Sequence, residues 1–155
     1  YLLRAFHDGK DIEARAHMLV ASSMGSTAFQ KGLGAIHSLS HPVGAIYNTH
    51  HGLTNAVFMP YVLLKNKDAI KERIENLARY INLSEKNFDG FLKWILDLRK
   101  QLIVPHTLKE LINDDSRFEE MSIMAFNDPS TGGNPIQLTD KDFFQLYNNS
   151  YYGKL

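Results

Sequence analysis

The sequence has 155 residues, 44% of them hydrophobic and 22% charged, and its 17 basic side chains are balanced by 17 acidic ones. That length fits one domain burying roughly two-thirds of its unfolded surface, and the absence of net charge leaves no global field to draw in nucleic acid or an anionic membrane. The lack of cysteine removes disulfides, thiolate ligands and cysteine nucleophiles and suits a reducing cytoplasm, while no apolar run reaches the ~18 residues of a membrane span.

Residues 1–9 carry no helix-start signal, and the first residue is Tyr rather than Met, as in a piece of a longer protein. A helix is predicted over 11–30, opened by Asp11 as N-cap; its small residues Ala16, Ala21, Ser22, Gly25 and Ala28 suit a position at the centre of a bundle. Further helices are predicted over 34–47 and 51–65, with Asn48 and Thr49 as the turn between them. Ile70, Ile74, Leu77, Ala78 and Ile81 form one apolar helical stripe, and Phe88, Phe91, Leu92, Ile95 and Leu102 form another. Trp94 is expected in the core beside Phe91. Thr107–Glu110 and Ser116–Glu119 match the capping-box pattern, and Thr139–Asp142 is a near match that opens the last helix. Pro and Gly make 128–135, DPSTGGNP, a loop without regular structure. No strand alternation, repeat or low-complexity tract is present. The reading is one all-α domain over 1–155, a bundle of about seven or eight helices.

Chemistry concentrates in GAIHSLSHPVGAIYNTHHG, 34–52, which holds four of the seven histidines. His37 and His41 are four apart and share a helix face, with Pro42 inside the run to bend it. His51 follows the turn, where a chain doubling back brings its ring to the same place. Neutral imidazole is a common ligand for Zn, Fe and Ni. A structural zinc takes four ligands and a catalytic one three plus an open position, so spacing alone supports a half-site. HExxH is absent because residue 38 is Ser. Two other motifs are discounted: Gly32-Leu-Gly34 lacks a third glycine and a preceding strand, and His7-Asp8 lacks the partners of a phosphohydrolase site.

The run GLGAIHSLSHPVGAIYNTHHGLTNAVFMPYVLLKN, 32–66, resembles the signature of the iron-containing (group III) alcohol dehydrogenases: GLG-xx-H-xxx-H-x-xG, then HG-xx-NA and a proline-bearing helix. The stretch 8–29 resembles the family's helix before the signature, and 70–81 and 127–147 resemble its C-terminal half, so the similarity spans nearly the whole chain. It implies the family's C-terminal helical domain, of the dehydroquinate synthase-like fold, without the N-terminal α/β domain that mainly binds NAD or NADP. It implies His37 and His51 as ligands to a divalent metal, Fe or Zn, and His41 as a catalytic residue beside nicotinamide and substrate that handles a proton. His50 falls at a spacer position and receives no role. The family's ligand set is one Asp and three His, the Asp and the first His preceding the signature by more than this chain contains. The implied activity is hydride transfer between NAD(P) and a small primary alcohol or aldehyde; the family often forms homodimers, which leaves the oligomeric state open, and composition adds the expectation of a cytoplasmic protein with no nucleic-acid or membrane partner. The chain alone is expected to be inactive. The alternative is a catalytically silent helical remnant that serves as an association module.

Overall fold

The computed structural model describes residues 1–155, and all of its regular structure is helical. Eight α-helices follow in order: α1 Leu2–His7, α2 Ile12–Ala28, α3 Ala35–Tyr47, α4 His51–Lys65, α5 Lys67–Tyr80, α6 Phe88–Gln101, α7 Phe118–Phe126 and α8 Asp140–Tyr152. Three 3₁₀ turns, Phe29–Lys31, Leu108–Glu110 and Pro129–Gly133, complete the regular elements. The chain divides into two compact units, Tyr1–Gly32 and Leu33–Leu155.

The smaller unit holds α1 and α2. Its first helix forms where no start signal stands; Arg4 on that helix pairs with Asp11 and Glu13, and Tyr1 stacks on His17 with ring centroids 3.7 Å apart. Asp11 caps α2 as expected, accepting the Ala14 amide at 2.9 Å. The expected central position does not hold: α2 buries only Ala14. Its large apolar side chains Ile12, Leu19, Val20 and Met24 stand exposed, so the small-residue composition overstated the burial.

In the larger unit α3 packs on α4 and α7, α7 on α8, and α5 on α6. Leu39 and Val43 of α3, Val57 and Phe58 of α4, Phe118 and Met121 of α7, and Phe143 and Tyr147 of α8 make the shared core. Tyr147 is its hub: the ring stacks on Phe118 and meets Phe58 edge-on. Its hydroxyl donates to the Leu39 carbonyl of α3 at 2.8 Å, which satisfies the one polar group that burial would otherwise orphan.

Local sequence signals fare unevenly. The Thr139–Asp142 box closes at the start of α8, and the Thr107–Glu110 box closes over a 3₁₀ turn only. The Ser116 box does not form. The Ser116 amide is taken by Asp114 Oδ1 at 2.8 Å, and α7 starts two residues later without a side-chain cap. The 128–135 loop winds into the 3₁₀ turn Pro129–Gly133 because Asp128 caps it. Trp94 is 38% exposed rather than part of the core, tilted against the buried Phe91.

Candidate metal centre

Residues one helical turn apart leave the same face, so α3 presents His37 and His41 together, with ring centroids 5.9 Å apart. Asn48 ends α3 in the left-handed region at φ 53°, its amide bonded to the Gly44 carbonyl. His50 then caps α4, its Nδ1 accepting the Leu53 amide at 3.2 Å, and this places His51 at the first helical position. The tight reversal sets the His51 ring 5.3 Å from that of His37. It also lies 5.4 Å from that of His41, nearly parallel at 14°.

Hydrogen bonds define which ring nitrogens are bare. Asn55, one turn beyond His51 on α4, donates from Nδ2 to His51 Nε2 at 3.0 Å and to His37 Nε2 at 3.3 Å. A nitrogen that accepts a hydrogen bond carries a lone pair, so the contacts from Asn55 Nδ2 call for an unprotonated Nε2 on each ring. On the far side of His51, Nδ1 donates to the buried Ser40 Oγ at 3.4 Å, and that hydroxyl donates to the His37 carbonyl at 3.1 Å. Burial, and after it the neighbouring His51 and His41, pushes the His37 imidazole below its ordinary pKa, which further favours the neutral form. Asn55 Oδ1 is buried without a hydrogen-bond partner; the amide is oriented by the two rings and not by its own oxygen.

The two imidazoles fit half of a cation site. Rings sharing one tetrahedral ion at a metal–nitrogen distance of about 2 Å have centroids about 5 Å apart, and those of His37 and His51 stand at 5.3 Å. Their lone pairs converge on a single NH₂ group, as ligands of one ion converge on it. No three His, Cys, Asp or Glu side chains are arranged to hold a metal. His41 is not arranged with them as a third donor; its ring lies at 14° to that of His51, and its Nδ1 donates to Asp128 Oδ2 at 2.7 Å.

The structure thus gathers all three histidines expected at the site and assigns His50 to a helix cap. Three partners escaped the sequence reading. Asn55 and Ser40 sit inside the signature but bear no chemistry by type alone. Asp128 lies 87 positions from His41, and its only signal was that it opens a conspicuous loop.

Residues 1–151 match the profile described as Fe-containing alcohol dehydrogenase family, C-terminal. The chain is 33% identical over 152 residues to the NADPH-dependent butanol dehydrogenase of Clostridium saccharobutylicum, covering 92% of this chain and 39% of that protein. It superposes on 1,3-propanediol oxidoreductase with a TM-score of 0.91 at 25% identity, covering 97% of this chain and 41% of that one. It also superposes on sulfoacetaldehyde reductase from Bifidobacterium kashiwanohense in complex with NAD+, with a TM-score of 0.82 at 25% identity, over 97% of this chain and 39% of that one. The chain therefore spans about two-fifths of the length of these relatives. With a family match over nearly its full length, the chain belongs to the iron-containing alcohol dehydrogenases, corresponding to their C-terminal part.

Proposed function

We propose that this chain supplies the helical half of the reaction centre in an NAD(P)-linked alcohol dehydrogenase interconverting a small primary alcohol and its aldehyde. His37 and His51 serve as two ligands to a divalent cation, iron or zinc, whose remaining ligands come from outside these residues. When bound, such an ion acts as a Lewis acid toward the oxygen of the alcohol or aldehyde. A bound nicotinamide would take the hydride that oxidation removes from carbon, and His41 Nε2, on the side of the ring away from Asp128, is the atom of this chain that would take the hydroxyl proton. Asn55 and Ser40 keep both ligand rings in the tautomer that presents Nε2. Relatives named as NADPH-dependent and as an NAD+ complex support a nicotinamide cofactor without choosing its form. The lack of cysteine supports a reducing, cytoplasmic location, and no helix is long and apolar enough to cross a membrane.

The convergence of His37 Nε2 and His51 Nε2 on one point carries this reading. Calorimetric titration of the 155-residue chain with Zn²⁺, and with Fe²⁺ without oxygen, tests it. One ion per chain should bind at micromolar or weaker affinity, and His37→Ala or His51→Ala should abolish binding. Sub-micromolar affinity would contradict the half-site, and binding indifferent to both substitutions would contradict the ligand assignment.

A further inference from the structure

We propose that Asp128 is a positioning residue that selects the tautomer of His41, keeping the proton on Nδ1 and Nε2 bare. The two oxygens of Asp128 have separate duties. Oδ1 accepts the Ser130 amide at 2.8 Å, and Oδ2 accepts from His41 Nδ1 at 2.7 Å. The carboxylate cannot swing away, because the turn that carries it is tied down on several sides. Thr131 Oγ1 donates to the Ala125 carbonyl at 2.6 Å and lies 2.8 Å from Ser38 Oγ of α3. Asn134 and Asn66 exchange amide hydrogen bonds, each 3.0 Å long. Gly133 lies so close to the Leu33 carbonyl that a Cβ there would collide with it.

An ionised carboxylate only accepts hydrogen bonds. Burial raises the Asp128 pKa, but the hydrogen bonds from His41 and from the Ser130 amide and hydroxyl outweigh it and leave the carboxyl below its ordinary value. His41 Nδ1 must therefore donate, and in the neutral ring the lone pair falls on Nε2. A free imidazole side chain prefers the opposite tautomer, with the proton on Nε2. Asp128 thus reverses an intrinsic preference, and without it the atom facing a substrate hydroxyl would already hold a proton and could not accept another. The catalytic use of this tautomer rests on the function proposed above; the tautomer itself does not.

The experiment records long-range ¹H–¹⁵N spectra of the ¹⁵N-labelled 155-residue chain, free of metal, at a pH where its imidazoles are neutral. The bare nitrogen of His41 should be Nε2. Asp128→Asn preserves the shape of the residue and is an equally good cap for the turn. Because the Ser130 amide still requires the oxygen, the new NH₂ must face His41, so the bare nitrogen should move to Nδ1. Asp128→Ala, which leaves the ring to its own preference, should move it the same way. Nε2 bare in parent and both variants, or Nδ1 bare in the parent, would overturn the proposal. Zinc titration of Asp128→Asn separates this result from the metal reading. Affinity should stay within about threefold of the parent, since Asp128 touches neither proposed ligand, and loss of zinc binding by the parent would sink the ligand assignment while leaving the tautomer result standing.

Discussion

Ser40 has a side chain of one hydroxyl and no exposure to solvent, yet it links the two proposed ligands. Its oxygen accepts a hydrogen bond from His51 Nδ1, and its hydroxyl donates one to the His37 carbonyl. Partners of this kind fix the tautomer and swivel of a ligating ring, and removing one usually costs 10–100-fold in metal affinity. The Ser40 contact to His51 is long at 3.4 Å, so the lower end applies. Ser40→Ala should weaken zinc binding about tenfold, read by calorimetry, with helical content unchanged. An unaltered affinity would show that Asn55 alone orients His51. At this scale the sequence disclosed the histidines, because an i, i+4 pair and a third ring after a turn are visible as spacing. It did not disclose their hydrogen-bond partners. Asn and Ser are common at helix ends and turns for reasons unrelated to metals, and the approach of Asp128 depends on how a distant loop folds back.

Between elements, an ion pair bridges the helix that carries His51 to the last helix of the chain. Lys65 at the end of α4 contacts Asp142 in the first turn of α8 at 2.6 Å. Asp142 also accepts from the Thr139 amide and hydroxyl in the capping box. Burial alone would raise its pKa; the hydrogen bonds from Lys65 and Thr139 prevail and bring it from 3.8 down to about 2. A carboxyl whose pKa is lower in the folded than in the unfolded chain stabilises the fold at pH values above the unfolded pKa. That contribution disappears as pH falls from about 4 toward about 2, where the unfolded chain binds the proton first. Allowing for partial exposure, it is worth about 1–2 kcal/mol at neutral pH. Asp142→Asn keeps an oxygen for the Thr139 amide and removes the charge. Urea unfolding should show the variant less stable by that amount at pH 6, with the difference shrinking toward zero between pH 4 and pH 2. A difference independent of pH would assign the effect to packing instead. The cap of α8 was legible because its donors and acceptors lie three residues apart. The failed box at Ser116 looked identical in sequence, and the competing acceptor, Asp114, decided against it.

For the whole chain, apolar stripes at helical spacing and the lack of strand alternation were enough to foresee an all-helical fold, because periodicity records which faces must be buried. They did not foresee how little of α2 is covered, since burial depends on what packs against a face as well as on its pattern. The larger unit, Leu33–Leu155, makes a thermodynamic claim that neither a residue nor a helix pair makes alone. Its core already holds α3 against α4 with the His37 and His51 rings 5.3 Å apart, so cation binding needs no refolding and its free energy adds directly to stability. A ligand that binds only the folded state at about 100 times its dissociation constant contributes about 2.7 kcal/mol. For a unit of this size that corresponds to a rise in the unfolding midpoint on the order of 10 °C. Scanning calorimetry should show this rise with zinc, its reversal by chelator, and its absence in the His37→Ala/His51→Ala double variant. Hydrogen exchange should slow in α3 and α4 as the ion clamps them together. If the double variant is stabilised equally, the zinc is bound elsewhere on the chain; if neither protein responds, the two imidazoles do not act as a pair.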